Sequence, residues 1–200
     1  MNIIKPALLI AIIVAVGFLL TRTPASQPTP PVTPAPTNQS ISSNCVPTFQ
    51  DGGGPYYQSN SPFRSNIAPE DHTGEELTVT GKILQSDCVT PLANITLDIW
   101  QANESGNYED GWYRGQVSTN DEGVYSFTTV VPKGYGEGTG YRPPHIHFKV
   151  WQGDQLLITS QMFLPISREQ GIEDAYIIRL ESTPTNGTTT HQGYHDIILP

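Results

Sequence analysis

The sequence predicts an all-β fold, an antiparallel β-sandwich with long loops. Three observations predict it. Apolar residues recur with a period of two in short runs, turn-forming residues separate the runs, and no stretch of the domain carries the 3.6-residue period of a long amphipathic helix. A period of two sends alternate side chains to opposite faces, as a half-buried strand requires.

The first run is Leu77 to Leu84, with Leu77, Val79 and Ile83 on one face. Asn94 to Trp100 follows, with Ile95, Leu97 and Ile99 aligned. Val124 to Val130, His145 to Trp151, Leu156 to Phe163, Tyr176 to Leu180 and His195 to Leu199 also read as strands. Thr90-Pro91, Asn120 to Gly123 and Gly153-Asp154 supply the turns between them. Several short strands so punctuated suit a sandwich. Two connections, Gln101 to Val117 and Pro132 to Pro144, are long and hold tyrosines, glycines and charges, as functional loops often do.

The chain has 200 residues and three compositional parts. Residues 1–25 read as a signal peptide or an N-terminal membrane anchor. The apolar run Ala7 to Leu20 is short for a span of about 20 residues, but Ile3 and Ile4 extend it, and Ala25 as a cleavage point sits beside Pro24. Either reading sends the domain out of the cytoplasm, secreted or membrane-anchored. Residues 26–44 form a Pro/Thr-rich linker, because repeated prolines lack the N–H that a helix or a central strand needs. Residues 45–200 are the folded domain, long enough to bury a core. Self-association is compatible with these observations and is not decided by them.

The two cysteines, Cys45 and Cys88, form an even pair, which in an oxidising compartment suggests one disulfide. A two-cysteine metal site is the rival, and no neighbouring histidine completes it. The net charge is −9 with no Lys/Arg cluster, which argues against nucleic acid as a partner. Asn38, Asn94, Asn103 and Asn186 lie in Asn-x-Ser/Thr sequons.

The stretch Tyr141-Arg-Pro-Pro-His-Ile-His-Phe148 places two of the five histidines two residues apart. On a strand, His145 and His147 point the same way, as two ligands of one metal can, while Ile146, Phe148 and Val150 face a core. Alone, the pair equally fits a polar strand face continuing through Lys149. Pro143 and Pro144 hold the chain extended ahead of His145. His72, His191 and His195 have no partner pattern and read as structural or exposed.

With Tyr108 and Tyr135 added, the chain resembles the intradiol ring-cleavage dioxygenases, the family of protocatechuate and catechol dioxygenases. The resemblance runs through Gly54-Pro-Tyr-Tyr57, Trp100 to Tyr108, Tyr113-Arg-Gly115, Thr119 to Phe127, Arg142 to Phe148, Ser160 to Phe163 and Asp196 to Leu199. The leader and cysteine pair look like the secreted branch. The resemblance implies that Tyr108, Tyr135, His145 and His147 ligate a non-haem Fe(III). Phenolates are hard anionic donors suited to a trivalent ion, and imidazole suits iron generally.

It also implies that Arg142 stabilises charge on the substrate, that Tyr135 leaves the metal and accepts a proton, and that Gln161 stands near the dioxygen side. Tyr57, with Tyr56, is expected at the mouth of the pocket, although packing at a rim explains these rings equally. The implied reaction joins a catechol-type aromatic diol with dioxygen to give a muconate-type diacid, without nicotinamide, flavin or external reductant. The chain departs from the family pattern in a shortened segment between Tyr135 and Arg142 and in Tyr141, where tryptophan is common. The long helical N-terminal linker of catechol dioxygenases has no counterpart. These departures bear on specificity more than on iron. The rival from another class is a non-catalytic extracellular β-sandwich binding module; a zinc or copper hydrolytic site suits two tyrosines poorly.

Overall fold

The computed structural model describes residues 45–185 and 187–200. The expected leader 1–25 and linker 26–44 lie outside the described residues, as do Asn38 and Asn186. Nine strands are described: β1 Glu76–Leu84, β2 Thr96–Gln101, β3 Arg114–Ser118, β4 Val124–Val130, β5 His145–Gln152, β6 Gln155–Phe163, β7 Arg179–Thr185, β8 Thr188–Tyr194 and β9 Ile197–Ile198. One sheet has the order β4-β1-β8-β7, with β9 also on β1, and the other has the order β3-β2-β5-β6. The inner faces meet in one apolar core that includes Leu77, Val79, Phe127, Leu97, Ile99, Ile146, Phe148, Val150, Ile158 and Met162. Each of these side chains contributes about 1.5–3 kcal/mol by leaving water.

The sandwich is therefore as expected, but it is not wholly antiparallel. β1 pairs parallel with β8 and with β9. These two strands are one line of chain interrupted at His195-Asp196. The interruption explains why the expected strand His195 to Leu199 shrinks to two residues. Asp196 Oδ1 accepts the Lys82 N–H at 2.8 Å, and His195 N–H donates to Thr80 O at 3.1 Å, so side chain and backbone fill the ladder across the break. Gly81 is needed there, since a Cβ on it would lie 1.8 Å from His195 O.

Two further expectations are corrected. The connection Gln101 to Val117 is not a single loop, because its end forms β3. Tyr113 turns the chain into β3 at φ 53°, a left-handed conformation unusual for a bulky residue. The expected strand Tyr176 to Leu180 instead begins as a 3-10 turn, Asp174–Tyr176, makes one isolated bridge from Ile177 to Phe163, and joins β7 only at Arg179. That edge strand continues through Pro184, which an edge tolerates because one side makes no ladder bonds.

The second sheet positions the site on its outer face. Register places Arg114, Trp100, His147 and Gln161 in one row across β3, β2, β5 and β6. Residues 51–62 run across this face. The chain leading into them is fastened by the Cys45–Cys88 disulfide and paired hydrogen bonds between Thr48 and Ile198, and Asp51 N–H donates to Thr159 O at 2.8 Å.

Candidate metal centre and its cleft

His145 and His147 project from β5 onto the outer face, and each is only 2% exposed. Their Nε2 atoms lie 3.0 Å apart. The Nδ1 of His145 meets the Pro143 carbonyl at 2.5 Å. A carbonyl only accepts, so this nitrogen carries the proton and Nε2 is left with a free lone pair. The Trp100 ring stacks on His147, centroids 4.9 Å apart and planes within 5°. Burial pushes the His145 pKa down to about 4 and that of His147 down to about 3, with His145 and Arg142 adding to the second shift. Both imidazoles are thus neutral near pH 7, the form that ligates a metal.

Tyr108 arrives from a loop built on Asn103. The Asn103 Oδ1 accepts the N–H groups of Ser105 and Asn107, both at 2.9 Å, and its backbone N–H donates to Asn107 O at 2.8 Å. Arg114 is 4% exposed and donates to Glu109 O at 3.1 Å, which pins the residue after Tyr108. Tyr135 arrives from the other long loop, clamped by two backbone hydrogen bonds to Arg142, 3.0 and 2.7 Å. Gly136 in that loop has φ 80°, and a Cβ on it would lie 2.5 Å from Gly140 O. Left-handed backbone and close approach both account for this glycine.

The hydroxyls of Tyr108 and Tyr135 lie 3.4 Å apart. The Tyr108 and His147 ring centroids are 6.4 Å apart, and those of Tyr135 and His145 are 5.7 Å apart. Burial, reinforced by Tyr135, raises the Tyr108 pKa well above its usual value. Despite the nearby Arg142 charge, Tyr108 is therefore a phenol in the metal-free protein, and a bound metal would be needed to hold it as phenolate. Two imidazoles with two phenols beside them are a donor set that fits a trivalent iron. Among the described residues no group of three His, Cys, Asp or Glu side chains converges, so a two-histidine, one-carboxylate ferrous site has no counterpart there.

Arg142 donates through Nη2 to Gln161 Oε1 at 2.9 Å, so these two expected residues meet. Tyr56 and Tyr57 both line the cleft, as expected for its mouth, but their rings make different contacts. The Tyr57 hydroxyl donates to Asp98 Oδ2 at 2.9 Å and its ring lies under the Lys149 ammonium, 3.4 Å from the centroid. Burial and the Asp98 charge push its pKa up to about 12. The ring that faces the donors is Tyr56, stacked on Tyr108 at 4.1 Å and edge-on to Tyr135 at 6.1 Å.

Two clefts lie at the site, and the two tyrosines line one of them. One, about 370 Å³, is lined by Tyr56, Tyr108, Tyr135 and Arg114. The other, about 490 Å³, lies beside Arg142 and Gln161 and is lined by Phe49, Tyr141, Phe163 and Tyr176. The remaining histidines serve elsewhere. His191 bridges Glu75 and Ser182 at 2.9 and 2.8 Å, and His72 meets Gly74 O at 3.1 Å. His195 is 6% exposed at the break in the sheet.

Comparison with known proteins places this arrangement in a family. A family model described as a dioxygenase matches residues 52–178. The chain is 31% identical over 137 residues to a hydroxyquinol 1,2-dioxygenase of Rhizobium sp. (strain MTP-10005), covering 56% of this chain and 46% of that protein. It is 32% identical over 109 residues to the protocatechuate 3,4-dioxygenase beta chain of Burkholderia cepacia, covering 46% of each. Among solved structures it is similar to the dioxygenase domain of a dioxygenase carbohydrate-binding protein fusion from Streptomyces sp. SirexAA-E. There the TM-score is 0.65 and the identity 28%, over 77% of this chain and 98% of that one. The chain belongs to the intradiol ring-cleavage dioxygenase family. It spans about half the length of the relatives it matches in sequence, 46% of each of the two named here.

Proposed function

We propose that the protein is a non-haem iron(III) enzyme that cleaves a catechol-type aromatic between its two hydroxylated carbons. The observation that carries this reading is the convergence of two phenols and two imidazoles beside one arginine. Tyr108, Tyr135, His145 and His147 are the residues that would hold the iron. Ferric iron, when bound there, would supply a Lewis acid that makes the aromatic diol reactive toward dioxygen.

The chain's own groups do the rest. Tyr135 accepts a proton from the incoming diol at its phenolate oxygen. Arg142 sets a fixed positive charge where the ring becomes electron-rich. Tyr56, flat on Tyr108, keeps water off that phenolate from one side. The aromatic cleft beside Arg142 has room for a ring substituent. Both atoms of dioxygen enter the product, a muconate-type diacid, so no external reductant is consumed.

Two observations support an extracytoplasmic setting: the Cys45–Cys88 disulfide and the apolar run near the N-terminus. The deciding experiment loads purified protein with ferric iron and measures dioxygen uptake against a panel of catechols. The expected result is stoichiometric iron, a visible tyrosinate-to-iron absorption band and uptake with at least one catechol. Iron bound without that band, or no uptake across the panel, would overturn the reading.

A further inference from the structure

We propose that Asp51 is a positioning residue for Arg142 and acts through the side-chain amide of Gln161. The inference rests on the reading of Arg142 as the charge that faces the substrate. Asp51 belongs to the glycine-rich run Asp51-Gly-Gly-Gly54, which the strand pattern and the donor set leave unexplained. Its backbone N–H donates to Thr159 O at 2.8 Å, which fixes it beside β6, two residues before Gln161. One carboxylate oxygen accepts the Gly52 N–H at 2.6 Å, and the other accepts from the Gln161 Nε2.

An amide has two unlike ends, and a carboxylate only accepts. With Nε2 committed to Asp51, the Gln161 Oε1 must face the other way, where it accepts from Arg142 Nη2 at 2.9 Å. Reversing the amide would set Oε1 against a carboxylate and Nε2 against a guanidinium, leaving two acceptors opposed and two donors opposed. Asp51 therefore decides the orientation of Gln161. Gln161 is 4% exposed and is held in a strand, so it has little freedom to compensate.

The interposed amide has an electrostatic consequence. A carboxylate in direct contact with Arg142 would offset its charge. Gln161 instead orients the guanidinium through a neutral group, and among the described residues no carboxylate lies within ion-pair distance of Arg142. The positive charge stays available to the substrate while its place is fixed. Asp51 is itself anchored through Thr48 and the Cys45–Cys88 bond, so the far end of the relay does not drift.

The test begins with iron-free, 15N-labelled protein. The Gln161 side-chain amide is identified as the NH2 pair lost in Gln161→Ala. Asp51→Ala should move that pair strongly and Asp51→Asn less. In the iron-loaded enzyme, Asp51→Ala should lower kcat for a catechol about tenfold, with KM and iron content little changed. The double variant Asp51→Ala/Gln161→Ala should be no slower than Gln161→Ala alone, because both remove one relay. An unmoved amide pair, or losses that multiply in the double variant, would overturn the proposal. If the wild type cleaves no catechol but Asp51→Ala still moves the pair, the functional reading falls while the positioning role stands.

Discussion

The indole of Trp100 lies flat against the imidazole of His147, and the two residues are direct cross-strand partners of β2 and β5. The strand register thus aims the proposed metal-binding ring and wedges it in one step, since Trp100 is 1% exposed and cannot swing aside. Trp100→Ala should cost about 3–5 kcal/mol, the range for truncating a large buried ring. It should also weaken iron binding, because His147 loses the surface that fixes its plane. Trp100→Phe keeps a flat partner and should retain most of both. Chemical denaturation and iron content of the two variants check this, and equal iron retention in both would argue against an orienting role for the stack.

Three buried histidines tie stability to pH in the iron-free protein. Burial holds His145 and His195 at about 4 and His147 at about 3, against about 6.5 in an unfolded chain. Between those values the unfolded chain binds protons that the folded chain refuses. The stabilisation is therefore complete above about pH 6.5 and is lost as pH falls toward 4. His195 stands apart from the proposed ligands, so its share can be separated. Denaturant midpoints at pH 7 and pH 5 should differ markedly for the wild type. In His195→Asn that difference should shrink by an amount on the order of 1–3 kcal/mol. Unchanged pH dependence in the variant would assign the effect to the other two.

Asn103 reads in the sequence as a glycosylation sequon, yet its side chain is turned inward at 8% exposure and organises the loop that carries Tyr108. Two outcomes follow. Protein from a glycosylating host should carry no sugar at Asn103, while Asn94, which is exposed, has no such bar. Asn103→Ala should destabilise the fold by about 1–3 kcal/mol through the unsatisfied N–H groups of Ser105 and Asn107. Glycopeptide mapping and thermal denaturation are the measurements.

How far the sequence could be read depended on whether burial left a period-two mark. β1, β2, β4, β5 and β6 each set alternating apolar residues against the core, and each was legible. β8, Thr188-Thr-Thr-His-Gln-Gly-Tyr194, was not, because its inward positions are filled by His191 and Gly193. Gly193 is there for room, since a Cβ on it would lie 2.8 Å from Ile178. β3 was hidden by its length and by Gly115 at an inward position. The four proposed donors and Arg142 were legible through family motifs. Asp51 and Arg114 were not assigned roles, because each acts through a residue in or next to the site, Gln161 for Asp51 and Glu109 for Arg114, a relation that only the folded chain displays.

Tyr135 and Tyr108 are expected to play separable roles. Tyr108 has Tyr56 stacked on its ring and the Asn103 loop behind it. Tyr135 sits on a short loop whose ends are tied by the two hydrogen bonds to Arg142. A move of Tyr135 off the metal therefore has to come from side-chain rotation or from the loop moving with Arg142. It cannot come from Gly136 as a free hinge, because that glycine is packed against Gly140. On this reading Tyr108 stays on the iron throughout, and Tyr135 is the phenolate that departs and takes a proton from the catechol. Tyr135→Phe should retain some iron, lose at least tenfold in turnover and show an altered pH dependence of catechol binding. Tyr108→Phe should hold iron less tightly and be reduced more easily, having lost a permanent anionic donor. Iron content, the visible band and catechol-dependent dioxygen uptake of both variants decide the matter. Wild-type turnover in Tyr135→Phe would remove the exchange role from Tyr135 and leave the four-donor site standing.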